Sequence, residues 1–222
     1  SSDVCSSDLN LKNVDIIKGD VTDKDFMMQF YKNVDVVAHI AGLAKDIGKD
    51  ELYRRLNFEP IKYLSTIPNE KIIYVSSSDV YGIKDFNSAD EDTELLEFPK
   101  NPYPKYKIAS EKWLKEYCKT PYVIIRPAAV WGEGDKTLEN RVIDFLRISP
   151  FIVHFGTWKG KNRWPLANVK NVAKTIVSAS INNNFDNNAI TIIDSEFTTI
   201  DEYYRDIAKR YFPDKNFKNL YF

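Results

Sequence analysis

The chain has 222 residues, enough for one domain of ordinary size or one domain with a small appendage. Hydrophobic residues make up 43% and aromatic residues 14% of it, so the chain can bury a core and wholesale disorder is excluded. The 31 basic residues nearly balance the 32 acidic ones, and this argues against a nucleic-acid partner. No apolar stretch approaches the roughly 20 residues that span a bilayer, so no membrane partner is expected.

The first nine residues, SSDVCSSDL, are polar and have none of the periodicity of the following text. They resemble one reading frame of a sequencing-library adapter, so we expect residues 1–9 to be an unstructured artefact. Setting them aside removes Cys5 and leaves Cys118 as the remaining cysteine. A single cysteine cannot form an internal disulfide, which favours a reducing cytoplasmic location.

Short apolar runs separated by helical segments follow in chain order. The sequence predicts strands at residues 14–18, 34–39, 71–75, 122–126 and 189–194. It predicts helices from an N-cap at Thr22 through Phe26 and Phe30, at residues 51–64, and from Pro104 to about Cys118. Strands that are continuously apolar are buried on both faces, and repeated strand–helix units of this kind indicate a doubly wound α/β fold with a parallel sheet.

Ligands of such sheets bind beyond the carboxyl ends of the strands. The third predicted strand ends in three serines, and the next helix carries Tyr103 and Lys107 one turn apart. A phenol, an ammonium and a hydroxyl at one sheet edge suit proton transfer to or from a substrate oxygen. The other notable residues at strand ends are Asp20, Ala41, Gly42 and Pro127.

Several motifs resemble the extended short-chain dehydrogenase/reductase superfamily, in particular its NAD-dependent epimerase/dehydratase family. They run in that family's order from Asn10 onward. The matching motifs are G-D-V from Gly19, V-D-V-V-A-H-I-A-G-L-A from Val34, L-N-F-E-P around Asn57, Y-V-S-S-S-D-V-Y-G from Tyr74, Tyr-x-x-x-Lys at Tyr103, I-I-R-P from Ile124 and P-L-A-N-V-K-N-V-A from Pro165.

The resemblance implies a catalytic group of Ser77, Tyr103 and Lys107. The family's serine lies four residues before the Tyr of Val-Tyr-Gly, which selects Ser77, with Ser78 as the alternative. A phenol acting as a base at neutral pH needs its pKa lowered by roughly 3 units, or about 4 kcal/mol. One cation about 4 Å away at an effective dielectric of 20 supplies about 4 kcal/mol. Lys107 is therefore expected to lower the phenol pKa while also holding a ribose hydroxyl.

The resemblance also implies NAD or NADP as cofactor and a small-molecule substrate. The expected cofactor-binding residues are Asp20, Val21, Ile40, Ala41, Gly42, Asn57, Tyr103, Lys107 and Pro127. The expected substrate-binding residues are Ser78, Ala129, Trp131, Arg163 and Trp164. His39 is expected to serve the structure, and no zinc site is indicated.

Two substrate positions depart from the pattern of nucleotide-sugar enzymes. Ala129 stands where those enzymes carry Asn, and Trp164 stands where they carry an Arg, with Arg163 one residue out of register. These departures weaken the nucleotide-sugar assignment but leave the general chemistry intact. Trp131, Trp158 and Trp164 either line an apolar pocket or pack as ordinary core and loop residues.

The sequence contains no glycine-rich turn of the kind that cradles a pyrophosphate. We therefore expect a Rossmann-type sheet lacking its first β-α-β unit, and weak dinucleotide binding by this polypeptide. Its nucleotide-binding part is predicted at 10–132 and 164–194, and a small substrate-binding part at 133–163 and 195–222.

Three functions remain open on the sequence alone. The first is an epimerase or dehydratase, with a nucleotide sugar as one candidate substrate. The second is a reductase or dehydrogenase of a small or apolar alcohol, and the third is a non-catalytic dinucleotide-sensing protein on the same fold. Members of the family that the chain resembles pair two catalytic-domain helices across a two-fold axis, and this resemblance implies a homodimer.

Overall fold

The structure, a computed structural model, describes residues 12–45, 48–82, 89–135 and 138–222. Its strands are β1 Val36–His39, β2 Lys71–Val75, β3 Tyr122–Pro127, β4 Ala129–Trp131, β5 Phe151–His154, β6 Arg163–Trp164, β7 Leu166–Asn168, β8 Asn188–Ile192, β9 Thr198–Thr199 and β10 Lys218–Tyr221. Its helices are α1 Lys24–Tyr31, α2 Asp50–Tyr53, α3 Glu59–Leu64, α4 Pro102–Tyr117, α5 Leu138–Ile148, α6 Val169–Ile181 and α7 Ile200–Tyr211. A π-helical turn, Arg54–Phe58, joins α2 to α3, and short 3-10 turns span Ser78–Tyr81 and Asn183–Phe185.

The main sheet has four parallel strands in the order β1-β2-β3-β8. Successive residues of β2 point to opposite faces: Ile72 and Tyr74 join a core cluster with α1, α3 and α4, whereas Ile73 joins a second cluster with α6. Helices therefore cover both faces of the sheet, and the predicted doubly wound α/β class is confirmed.

Most predicted strands lie within two residues of the observed ones, and β2 matches completely. The predicted strand at residues 14–18 is wrong, because this segment is irregular and its side chains are exposed. Val14 and Ile17 are 53% and 56% exposed. A strand persists only when a neighbour satisfies its backbone groups, and no described strand pairs with this segment. The predicted cap at Thr22 is also wrong, since Asp23 caps α1 by accepting from the Phe26 amide.

Helix α4 begins two residues earlier than predicted. Asn101 is its N-cap, and its side chain accepts from the Tyr103 amide at 2.9 Å. Pro102 then occupies the first helical position, where a missing amide costs nothing. Tyr103 and Lys107 therefore lie in the first two turns of α4, close to the carboxyl end of β2.

A third core cluster involves α5, α7 and β5. Leu146, Ile152 and Ile207 are fully buried in it, and β5 pairs with β10 in parallel. The cluster falls largely within the two segments predicted as the substrate-binding part, whose role stays a prediction. No helix in the described ranges combines the length and apolarity needed to cross a bilayer. The leader predicted at residues 1–9 lies outside the described residues.

Candidate active site

The residues predicted as catalytic come together at the carboxyl end of β2. Ser77 follows this strand in extended conformation (φ −159°) and is 9% exposed. Its side chain lies close enough to the Tyr103 hydroxyl for hydrogen bonding to lower the pKa of the phenol. The Lys107 ammonium lies 5.8 Å from the centroid of the Tyr103 ring, one helical turn along α4. A hydroxyl, a phenol and an amine thus share one half-buried corner.

Lys107 is the most buried member of this group, at 4% exposure. Its Nζ donates to the Val75 carbonyl at 2.7 Å and lies 5.0 Å from the centroid of the Tyr74 ring. Burial lowers the pKa of Lys107 to about 8, although the Glu111 carboxylate acts in the opposite direction. The amine therefore exchanges its proton much closer to neutral pH than an exposed lysine does.

The pKa of Tyr103 is raised, because burial disfavours the phenolate. The charge of Asp79 also raises this pKa. Hydrogen bonding by Ser77 lowers it, but by less than burial raises it. This direction is opposite to the predicted lowering by Lys107. The prediction placed a full cation about 4 Å from the phenol, whereas the structure desolvates both groups together.

The three serines after β2 have different environments. Ser76 Oγ donates to Glu111 at 2.6 Å. Ser78 begins the 3-10 turn and is half-buried. Ser77 is the serine whose side chain acts on the pKa of Tyr103, in agreement with the register of the Val-Tyr-Gly motif.

The loop after β1 is anchored by Asn57, which is 1% exposed inside the π-helical turn. Its side chain accepts from the Leu43 amide at 2.6 Å and donates to the Leu43 carbonyl at 3.0 Å. Ile40, Ala41 and Gly42 are left exposed in front of this anchor. A Cβ at Gly42 would lie 3.1 Å from Asn57 Oδ1 and 3.6 Å from Lys107 Nζ, so the glycine permits a close approach.

His39 lies at the end of β1 behind this loop and is 4% exposed. Burial, together with the nearby Lys107, lowers its pKa to about 3, so the imidazole is neutral at ordinary pH. Its ring stacks on Tyr74 at a centroid distance of 6.3 Å. Its Nε2 has no hydrogen-bond partner among the residues that the structure describes.

The remaining predicted cofactor-binding residues occupy two places. Asp20 is exposed and accepts from the Thr22 amide at 2.8 Å, an interaction that lowers the pKa of its carboxyl. Val21 packs against the first core cluster. Pro127 is buried at the end of β3. Their contact with a cofactor stays a prediction.

The predicted substrate-binding residues divide into two groups. Ala129 lies beside a cleft of about 170 Å³ that is also lined by Ala44, Val130, Leu138 and Arg141. Trp131, on the same strand, is 40% exposed, and its indole N–H donates to Asp194 at 2.7 Å.

The second group lies in the C-terminal part. The Trp164 ring lies edge-on to Tyr203 at 5.1 Å and belongs to the third core cluster, so it packs rather than lining an open pocket. Exposed Arg163 lies 5.3 Å over the Phe197 ring. Trp158 is 44% exposed. Within the described ranges, no three His, Cys, Asp or Glu side chains gather closely enough to hold a metal ion.

Sequence reasoning missed a buried ion pair between Glu111 and Arg126 next to the serines. Both residues lay in recognised segments, but neither received a role. The available signal was the spacing of Glu111, four residues after Lys107 and eight after Tyr103, which puts all three on one helix face.

Comparison with known proteins identifies a family for nearly the whole chain. The sequence model of the 3-beta hydroxysteroid dehydrogenase/isomerase family matches residues 1–205. Among curated relatives, the dTDP-D-glucose 4,6-dehydratase of Mus musculus is 31% identical over an alignment of 150 residues, and the match covers 59% of this chain and 41% of the relative. The chain spans less than half the length of the curated relatives it matches.

Solved structures show the same fold. The UDP-glucuronic acid 4-epimerase of Bacillus cereus, in complex with NAD, superposes with a TM-score of 0.75 at 23% identity, covering 92% of this chain and 68% of that one. The UDP-N-acetylglucosamine 4-epimerase of Methanobrevibacter ruminantium has a TM-score of 0.77 at 24% identity, covering 95% and 71%. Together with the family match, these likenesses confirm the predicted superfamily.

Proposed function

Because the chain belongs to the 3-beta hydroxysteroid dehydrogenase/isomerase family, we propose that it carries the acid–base site of an NAD(P)-dependent enzyme of the epimerase/dehydratase type. The reaction is hydride transfer at a carbon–oxygen centre of a small molecule. The observation that carries this proposal is the meeting of Ser77, Tyr103 and Lys107 at one half-buried site. A non-catalytic sensing protein would not need all three groups together.

The cofactor proposed for this site is NAD or NADP, as in the B. cereus epimerase structure, which contains NAD. When bound, the nicotinamide accepts and returns the hydride. The residues at this edge of the sheet suit such a cofactor for two reasons. Gly42 allows a close approach beside Lys107, and residues 40–42 are exposed. An ammonium has three N–H donors, and the Val75 carbonyl takes one of them. The others are suited to ribose hydroxyls, with exposed Asp20 as a further member of the binding surface and buried Asn57 as the anchor of the loop beside it.

Tyr103 exchanges the proton with the reacting oxygen in this proposal, and Ser77 holds that oxygen by a hydrogen bond. The raised pKa of the phenol means that it starts as a proton donor at neutral pH. Removing its proton requires nearby positive charge, which protonated Lys107 supplies below pH 8. Activity that depends on the Lys107 cation should therefore decline as the pH rises through about 8.

The proposed substrate class is a nucleotide sugar. The dehydratase relatives are named for dTDP-D-glucose and the structural neighbours for UDP-sugars. The rival is a dehydrogenase or reductase of an apolar alcohol. The partly exposed Trp131 and the mainly aliphatic cleft at Ala129 favour this rival.

The test mixes the purified protein with NAD and UDP-glucuronic acid, dTDP-glucose or a 3β-hydroxysteroid. Conversion of the sugar nucleotides, which returns the hydride and forms no net NADH, is followed by chromatography, and oxidation of the steroid is followed as absorbance at 340 nm. Turnover of a sugar nucleotide supports the first assignment, and steady NADH formation from the steroid supports the rival. Tyr103→Phe should lower turnover at least about 100-fold, the usual contribution of a positioned acid–base group. Tyr117→Phe, at an exposed position on the same helix, is the matched control. A Tyr103→Phe rate within a few-fold of the parent would refute the acid–base role.

The proposal also includes a homodimer and a cytoplasmic location. The near-balanced charge and the free, half-buried Cys118 support the location. The dimer is proposed from the resemblance to the superfamily. Light scattering of the purified protein tests the dimer, and a monomeric mass at micromolar concentration would exclude it.

A further inference from the structure

A buried ion pair lies directly behind the proposed acid–base group. The side chains of Glu111 and Arg126 are 0% and 1% exposed. Arg126 Nη2 donates to Glu111 at 2.7 Å, and Arg126 Nε lies 3.1 and 3.2 Å from the two carboxylate oxygens. Desolvating two charges offsets much of their attraction, so stability by itself is a weak reason for such a pair.

Its carboxylate is bound to the residue that precedes Ser77. Ser76 Oγ donates to Glu111 Oε1 at 2.6 Å, and the Ser76 amide donates to the Ile125 carbonyl at 2.7 Å. The backbone entering Ser77 is therefore held to α4 through a side chain and to β3 through the main chain.

Its guanidinium is bound to the residue that closes the turn after Ser77. Arg126 Nη1 donates to the Tyr81 hydroxyl at 2.8 Å, and that hydroxyl also lies 2.9 Å from Thr191 Oγ1. The same nitrogen donates to the Glu91 carbonyl at 3.0 Å. The chain on both sides of Ser77 is thus tied to one ion pair.

The ion pair also belongs to the helix that carries the phenol. Tyr103, Lys107 and Glu111 are spaced four residues apart and share one face of α4, with Glu111 about 12 Å along the axis from Tyr103. Sliding or rotating α4 against β2 would break the Glu111 contacts and separate Tyr103 from Ser77.

We infer that Glu111 and Arg126 are positioning residues that set the Ser77 hydroxyl against the Tyr103 hydroxyl. Their ion pair holds Ser76 and Tyr81, and these two residues hold the turn between them. The inference rests on the proposed function, because the positioned groups are the proposed acid–base pair. It adds that the geometry of this pair is determined by a carboxylate and a guanidinium that touch no substrate.

The first test measures geometry and needs no turnover. In the parent protein, the Tyr103 ring protons should show a nuclear Overhauser cross-peak to the Ser77 Hβ protons. Ser76→Ala removes one link and keeps the ion pair, so it should fold and should weaken this cross-peak at least twofold. Glu111→Gln removes the charge and should abolish the cross-peak wherever the variant folds.

Two matched variants control for general loosening. Ser65→Ala removes a hydroxyl that accepts from the Trp113 indole, away from the site. Asp186→Asn removes the carboxylate paired with buried Lys71 at the opposite end of β2. Both should lower stability and leave the Tyr103–Ser77 cross-peak unchanged. An undiminished cross-peak in Ser76→Ala and in folded Glu111→Gln would overturn the inference. A cross-peak weakened in both control variants as much as in Ser76→Ala would also overturn it.

The second test separates positioning from the proposed function. With NAD and UDP-glucuronic acid, Ser76→Ala should lose about 10-fold in kcat while KM for NAD stays within twofold. A weakened cross-peak with no turnover by the parent protein at saturating NAD supports the positioning role and refutes the proposed function. If the parent is active, Tyr103→Phe is inactive and Ser76→Ala has a normal kcat, the positioning role is refuted and the proposed function stands.

Discussion

Replacing Lys107 by methionine tests the electrostatics of the site through stability. Burial lowers the pKa of Lys107 from about 10.5 to about 8. At pH 7 the amine is protonated in the folded protein, and holding it protonated costs about 3 kcal/mol, because each unit of pKa shift corresponds to about 1.36 kcal/mol. Lys107→Met removes that cost but leaves the Val75 carbonyl without its donor, which costs about 1–3 kcal/mol.

The pH dependence separates these two effects. Between pH 8 and 10.5 the unfolded chain binds a proton at this lysine that the folded protein has released, so the stability of the parent rises with pH relative to the variant. The loss of the Val75 hydrogen bond does not titrate. Between pH 7 and pH 10 we expect the free energy of unfolding of the parent to rise by about 2.5 kcal/mol relative to that of Lys107→Met.

Urea unfolding followed by tryptophan fluorescence at several pH values measures this difference. Lys105→Met is the matched control on the same helix. A hydrogen bond to Asp50 raises the pKa of Lys105, so the contribution of Lys105 to stability is lost only above the pH range measured. The difference in free energy of unfolding between the parent and Lys105→Met should therefore stay constant with pH. A flat difference for Lys107→Met as well would refute the argument that burial makes Lys107 titrate near pH 8.

Two further substitutions probe the loop in front of the site. Asn57→Ala leaves the Leu43 amide and carbonyl without partners, so we expect a loss of about 1–3 kcal/mol and faster hydrogen exchange of the Leu43 amide; unchanged exchange would contradict the anchoring role. Gly42→Ala places a methyl group 3.1 Å from Asn57 Oδ1 and 3.6 Å from Lys107 Nζ, so NADH binding measured by fluorescence titration should weaken about 10-fold with little change in the urea midpoint; equal affinity would place the cofactor elsewhere.

Residue patterns predicted the sheet because burial on both faces leaves a local signature. The continuous apolar runs at β2 and β3 could form only strands covered by helices, and both strands were located to within a residue. The same reasoning failed at residues 14–18. Apolar composition there permits a strand, but a strand also needs a paired neighbour, and that is a property of the whole sheet.

The site was predictable to the extent that spacing along one helix or strand defines it. Tyr103 and Lys107 share a helix face, and the Val-Tyr-Gly register selects Ser77 among three adjacent serines. The protonation of these groups was not predictable. The direction of the Tyr103 pKa depends on how deeply the phenol is buried, and burial is decided by residues from several distant segments.

By itself, the sequence determined the fold class and the superfamily, and it supplied the three side chains of the proposed acid–base group, because each is encoded in short motifs of the chain. Only the tertiary structure decided that Trp164 packs in a core, that burial raises the pKa of Tyr103, and that a buried Glu111–Arg126 pair lies next to Ser77. These properties arise from contacts between segments far apart in sequence. Desolvation and ion pairing depend on the distances and burial that folding creates.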